Sequence, residues 1–402
     1  MKIKTNIALI MTGAALVVAP AAADPLSEVE IEQYGSVELN LDFFPRQEKY
    51  AGQDDVMGNL VLMPQVIAYG DDYEVVIEPR IVSPRRGQQY VDLKEGYFTT
   101  NLGGIDLLAG TTTVFWGKNE AVNLVDIINT KDYSMGLQSG EKQGMPMVRA
   151  TAPVGPGDAE IYLMPHFVEN RYGDARSRHR TPLPMKENTS WYQAGTDQDD
   201  PSLAVRYSGY IGDIDYGLSH FSGISRSPAM VMDGLAFVPL YHDITQTGLD
   251  LQWIVGDISF KGEVIRRTKQ LNSNNIAEDY NAGIVGVEQA MFGIAESNAD
   301  LSLFVEYARD SRNERAASGF QDDVFFGGNL TLNDVDDTQL RLIGSYDLDY
   351  SSRSITAEAS RRIGDDLTLE ASYYQPIGML DDKQFSSFDR DTRVHVGLKW
   401  SW

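Results

Sequence analysis

The chain has 402 residues, 58 acidic against 34 basic side chains, a formal net charge of −24 and no cysteine. The missing cysteines exclude disulfides, thiol catalysis and any cysteine-based metal site. The acidic balance makes a nucleic-acid partner a poor fit.

The N-terminus carries Lys2 and Lys4, then an apolar stretch from Ile7 to Val18, then Pro20 and the small residues Ala21 to Ala23 before Asp24. That order predicts a cleavable signal peptide over 1–23, too short and wrongly flanked for a membrane helix. Without a cysteine after it, the lipoprotein route is closed. Loss of Lys2 and Lys4, two cations, takes the net charge of the mature chain to −26. Residues 24–33 read as a short periplasmic segment.

From residue 34 onward no apolar run approaches the ~20 residues of a spanning helix. The pattern instead has period two. Val37, Leu39, Leu41 and Phe43 alternate with Ser36, Glu38, Asn40 and Asp42. The same alternation predicts strands near 58–69, 73–83, 90–101, 104–113, 145–152, 159–167, 202–211 and 214–223. The second half adds 244–254, 257–268, 281–292, 298–309, 322–332, 337–347, 353–362, 366–376 and 393–401. Glu95 is out of phase with Leu93 and Tyr97, which predicts a bulge or register change there. Short turns such as Ile211-Gly212-Asp213 and Val255-Gly256-Asp257 supply the positive φ of tight hairpins. They alternate strictly with longer loops, of which 114–144 and 168–201 are the longest.

Segregation of loop length by parity is the mark of a transmembrane barrel, with short periplasmic turns and long extracellular loops. The expected fold is all-β, a transmembrane antiparallel up-and-down β-barrel over 34–402. About eighteen strands are counted, sixteen or twenty if one hairpin is misread. A barrel of that size leaves an aqueous bore. The last strand places Leu398, Trp400 and Trp402 in phase at the chain end, a strand of the kind that barrel-assembly machinery reads, with Trp in place of the usual Phe. Tyr73, Tyr207, Trp253, Tyr307, Tyr346 and Tyr373 are expected outside, at the membrane interfaces.

Several segments are similar to a known group. Asp92-Leu93-Lys94-Glu95-Gly96-Tyr97, Val114-Phe115-Trp116-Gly117, Glu120, Val125-Asp126-Ile127-Ile128-Asn129, Asp132, Gly144-Met145-Pro146-Met147 and Asn333-Asp334 resemble poorly characterised proteobacterial outer-membrane proteins described as porin-like. The resemblance implies an outer-membrane barrel and a transport role, without a substrate.

The loop 114–144 is the third long one. By analogy with general porins, whose third outside loop folds into the bore, it is the constriction candidate; a plug or packing element over the mouth is the alternative. Phe115, Trp116, Val122, Leu124, Val125, Ile127 and Ile128 are too apolar for a freely solvated loop, and Ala121 to Ile128 are expected to form a short helix. The constriction candidates are Trp116, Lys118, Glu120, Asp126, Lys131 and Asp132. Alternation assigns Glu78, Arg80, Arg206, Asp250, Lys261, Glu263, Arg267, Glu306, Arg341, Glu358, Arg362, Glu370, Arg393 and Lys399 to the lumen. Such rings of charge set selectivity, although many lumen charges merely pair across strands. Arg171, Arg176, Arg178 and Arg180 could hold lipopolysaccharide phosphates or an incoming anion; a solvated cluster is the preferred reading. Asp334, Asp336 and Asp337 lack the closing Glu of a calcium loop and read as a hairpin turn.

No nucleophile elbow, His-Glu-x-x-His or phosphate loop is present, so no catalytic residue, cofactor or metal is assigned. The expected function is a porin-like channel of the Gram-negative outer membrane for passive or moderately selective diffusion of small polar solutes. A non-conducting receptor, binding or scaffold barrel is the alternative, and an outer-membrane hydrolase the third. Expected partners are outer-membrane lipid, lipopolysaccharide and a homotrimer.

Overall fold

The computed structural model describes residues 29–134, 136 and 140–402. The signal-peptide assignment therefore lies outside the described residues.

Each expected strand forms. In chain order they are β1 (Glu30–Phe43), β2 (Val56–Tyr69), β3 (Tyr73–Pro84), β4 (Tyr90–Leu102), β5 (Ile105–Thr112), β6 (Met145–Val154) and β7 (Gly157–Met164). Next come β8 (Ser202–Ile211), β9 (Ile214–Ile224), β10 (Asp243–Val255), β11 (Ile258–Leu271), β12 (Ala277–Met291) and β13 (Asp300–Asp310). The last five are β14 (Asp322–Thr331), β15 (Gln339–Asp347), β16 (Arg353–Ile363), β17 (Leu367–Ile377) and β18 (Arg393–Ser401). These eighteen strands make one sheet among the described residues. β1 pairs antiparallel with both β2 and β18, which closes the barrel and removes its edges.

Gly212 and Gly256 turn two of the short hairpins at φ +61° and +60°, where an L side chain would be strained. β1 begins at Glu30, inside the segment expected to precede it, because Glu30 to Gln33 pair with Val66 to Tyr69. The register change at Glu95 is present: Glu78 lies opposite Glu95, whereas Pro79 lies opposite Leu93, leaving Lys94 as the extra residue. Pro79 has no N–H to give the ladder, so the irregularity falls where pairing is already weakest.

The outward face is apolar. Leu39, Ile77, Leu218, Val285 and Leu303 are exposed, with Trp253, Tyr373, Trp400 and Trp402 beside them. A continuous band of this kind is stable against acyl chains and costly against water. No helix among the described residues is long and apolar enough to cross a membrane, a test that does not concern strands.

The long loops fold on one another. Residues 131–132 and 141–142 form a small hairpin. Trp191–Tyr192, Ala229–Asp233 and Ala236–Tyr241 form a three-stranded sheet, a structure that loop composition did not announce.

Candidate functional site

Residues 113–129 enter the barrel and are fastened to its wall by two carboxylates. Glu263 on β11 accepts the backbone N–H groups of Lys118 (2.8 Å), Leu124 (2.6 Å) and Val125 (3.2 Å). Glu306 on β13 accepts those of Glu120 (2.7 Å) and Ala121 (2.9 Å), and the Asn119 side-chain amide (3.1 Å). No helix forms over 121–128. The Val125 amide, the first that such a helix would direct to an i−4 carbonyl, is given to Glu263 instead, a charged acceptor that makes a stronger hydrogen bond.

The loop's other face is apolar. Leu124, Val125, Ile127 and Ile128 are buried in one cluster with Phe221, Ile265, Ile284 and Ala308. The sequence holds a trace of this. Ile284 and Val285 are adjacent, one fully buried against the loop and the other 61% exposed to the outside. Strands apolar on both faces within a polar-lined barrel mark where something apolar lies inside.

A charged network ties the base of the loop to the opposite side. Arg80 on β3 pairs with Asp92 and Asp132 at 2.8 Å each, and also with Glu141. Arg171 reaches the same two aspartates at 2.8 Å, and the Tyr90 hydroxyl donates to Asp132 at 2.8 Å. Burial works to raise the Asp132 pKa, but hydrogen bonds from Ser134 and the adjacent Arg171 outweigh it and hold it below the usual range. Lys142 pairs with Asp126 at 2.7 Å. Burial pushes the Asp126 carboxyl up and the Lys142 ammonium down.

The constriction candidates thus separate. Trp116 is buried edge-on against Tyr162, with the Arg206 guanidinium 5.3 Å over its ring, so it is a wall contact and offers no surface to a solute. Asp126 and Asp132 are consumed by their pairs. Lys131 is exposed, Lys118 lies 4.0 Å from Asp215, and Glu120 joins Lys261 (2.9 Å) and Arg341 (3.7 Å).

The lumen candidates divide by the half of the barrel they occupy. Arg206 and Asp250 pair at 2.8 Å and are buried. Lys261 bridges Glu120 and Glu288, Arg267 donates to Gln246, and Glu263 and Glu306 hold the loop. On the opposite half Arg80, Arg341, Glu358, Glu370 and Arg393 line a cavity of about 680 Å³, together with Glu38, Asn40, Asp42, Asp132, Glu141 and His395. Glu78 accepts from Gln65 at 2.5 Å, and Lys399 pairs with Glu38 at 3.0 Å. Arg362 is bonded to the carbonyl of Val335 in a short turn.

Sequence reading missed Tyr90, Asp92, Glu141 and Arg171 as one network, since its members are brought together only by closure of the barrel. The solvated reading of the arginine cluster holds for Arg176, which is exposed, and is corrected for Arg171, Arg178 and Arg180. Arg178 is fully buried, pairs with Asp391 (3.2 Å) and Asp55 (3.3 Å), and donates to the carbonyls of Arg46 and Arg390. Arg180 donates to the carbonyls of Ala175 and Ala51. Asp334 accepts from Thr338 and pairs with Arg361, a hairpin turn as expected. Among the described residues no group of three or more His, Asp or Glu is placed to hold a metal ion.

No protein-family model matches the chain, and no curated protein matches it either. Among solved structures it is similar to Wzi, an outer-membrane protein involved in group 1 capsule assembly in Escherichia coli. The TM-score is 0.53 with 13% identity, over 90% of this chain and 83% of that one. DcaP, an outer-membrane channel of Acinetobacter baumannii, aligns over 95% of this chain and 100% of its own, with TM-score 0.46 and 13% identity. A variant of the Rh. blastica porin aligns over 93% and 100%, with TM-score 0.45 and 13% identity. At these identities the likeness to Wzi establishes the large-barrel fold and nothing finer.

Proposed function

We propose that the chain is a porin-like channel of the Gram-negative outer membrane, passing small polar solutes by passive or moderately selective diffusion, and not an enzyme. The observation that carries this reading is the division of the bore. Residues 113–129 occupy one half, held by Glu263 and Glu306, and the other half keeps a cavity lined by charged side chains of both signs. Eighteen strands enclose more space than side chains alone fill, and charged linings act on ions and polar solutes at close range. In this reading the loop is the constriction, with Glu120 and its partners at its narrowest part. Lipopolysaccharide, the barrel-assembly machinery and a trimeric assembly belong to the same proposal.

The test is planar-bilayer conductance of the purified barrel. Stable current steps, altered by deletion within 118–140, are expected. A well-folded barrel without current would overturn the channel reading.

A second reading has its own support. The outer loops are interlocked by the buried Arg178, which suits a mouth that presents a surface. Wzi, whose fold this chain shares, is described as a carbohydrate-binding β-barrel. A folded, non-conducting barrel that retains a soluble polysaccharide on a column would establish that alternative.

A further inference from the structure

The half of the bore left open by the loop carries its charges in a row. Cross-strand register places Arg341 opposite Glu358, Glu358 opposite Ser372, Ser372 opposite His395, and His395 opposite Asp42. Neighbouring strands stand ~4.8 Å apart, so the row spans five adjacent strands with one side chain on each. All five side chains line the 680 Å³ cavity, and so do Glu370 and Arg393.

Most charges of the bore are matched, as in Arg206 with Asp250, Lys261 with Glu288 and Lys399 with Glu38, and within this row His395 meets Asp42 at 2.9 Å. Glu358 and Glu370 are the exceptions. Arg341 and Glu358 face each other across strands, where opposite charges ordinarily pair. Arg341 turns instead toward Glu120 on the loop at 3.7 Å. Glu358 and Glu370 are exposed, and no ion pair or hydrogen bond engages their carboxylates among the described residues. The cations are under-bonded too. Arg393 stands 3.7 Å from Asp42, and the Nε atoms of Arg341 and Arg393 are buried without a hydrogen-bond partner.

Resting on the channel reading, we propose that this wall binds small zwitterions, solutes with an ammonium and a carboxylate a few ångströms apart, the class of amino acids and short peptides. The ammonium is taken by Glu358 and Glu370, and the carboxylate by the guanidinium groups of Arg341, whose side chain is 34% exposed, and Arg393. Only a solute bearing both charges uses both halves of the row. A singly charged one leaves a group of the other sign uncompensated. Charge-assisted hydrogen bonds supply the preference, and the cavity is of small-molecule size.

The probes are glycylglycine, N-acetylglycine, which keeps only the carboxylate, and glycinamide, which keeps only the ammonium. Glycylglycine added to the wild-type channel in a bilayer should reduce the ion current saturably. The singly charged probes should need about tenfold higher concentration, the equivalent of one charge-assisted hydrogen bond. E358Q/E370Q should abolish the advantage over N-acetylglycine, and R393Q the advantage over glycinamide. Equal response to all three probes would overturn the proposal using wild-type protein alone, whatever becomes of the variants. If the folded barrel carries no current, calorimetric titration of the same probes separates the two claims. A preference for glycylglycine there keeps the site and removes the channel, and no preference removes the site.

Discussion

The carboxylate of Glu263 and the backbone amide of Leu124 lie 2.6 Å apart, joining a barrel strand to the tip of a loop 139 residues away in sequence. The same carboxylate takes the amides of Lys118 and Val125. Glu263→Ala would leave these N–H groups inside the barrel without acceptors, at about 1–3 kcal/mol each. Even one such penalty shifts a docked-against-free equilibrium by about 5- to 150-fold. The expected outcome is a larger and noisier single-channel current than wild type, reproduced by Glu306→Ala. Currents identical to wild type in both variants would mean that the apolar cluster alone holds the loop.

Glu120 sits between Lys261 at 2.9 Å and Arg341 at 3.7 Å. Glu120→Gln removes a carboxylate and leaves both cations less compensated, and it frees Arg341 to swing toward its cross-strand neighbour Glu358. Pore preference follows the sign of the lining charge. The reversal potential in a salt gradient should therefore move toward anions, by less at high ionic strength, where screening shortens the reach of each charge.

The strands were legible because alternation is a local signal: Leu39 and Asp42, or Leu369 and Glu370, declare their faces by sequence position alone. The third loop was legible as ordered, since Val125, Ile127 and Ile128 demanded burial. Its conformation was not. The acceptors that fix its backbone amides, Glu263 and Glu306, lie on strands far along the chain, and each read simply as a lumen carboxylate. Arg178 failed for the same reason. Its partners Asp55 and Asp391 come from two other loops, so a local cluster of arginines looked like a solvated one.

His179, next to Arg178, is half-buried and edge-on to Phe44, with ring centroids 5.5 Å apart. Burial lowers its pKa to about 4. Folded protein therefore binds fewer protons than unfolded between the ordinary value of 6.5 and 4, and the docking it supports is lost as pH falls through that window. Asp391 acts oppositely: burial raises its carboxyl to about 7, so its contribution weakens as pH rises toward that value. A difference measurement separates them. Relative to wild type, His179→Phe should protect the loop 165–201 from proteolysis increasingly below pH 6.5 and show no advantage above it. Parallel wild-type and variant profiles would show that His179 does not titrate in this interface.

Arg178 itself supports a stability prediction. Its guanidinium is buried between two aspartates and three loop carbonyls. Removing one partner of a buried pair costs about 3–5 kcal/mol, because the other charge stays desolvated. Arg178→Ala should open the outer loops to protease at neutral pH while the barrel keeps its heat-modifiable mobility on gels. Asp391→Asn combined with it should recover part of the protection. A double variant no better than the single one would place the cost in the lost carbonyl contacts.

Where β1 meets β18, Trp402 packs on a glycine. Trp402 and Gly35 exchange backbone hydrogen bonds of 3.1 and 3.2 Å. The Trp402 indole lies over Gly35 so closely that an added Cβ would stand 2.2 Å from Cζ2. Any side chain there must displace the ring, and with it the terminal rung of the seam between β1 and β18. Gly35→Val should lower the yield of heat-modifiable barrel in the membrane. Trp402→Ala should restore space and part of that yield in the Gly35→Val background, even though alone it removes apolar surface from the membrane interface. If Gly35→Val assembles as well as wild type, the ring moves aside freely and the seam is fixed by the eight register pairs from Ser36 to Phe43.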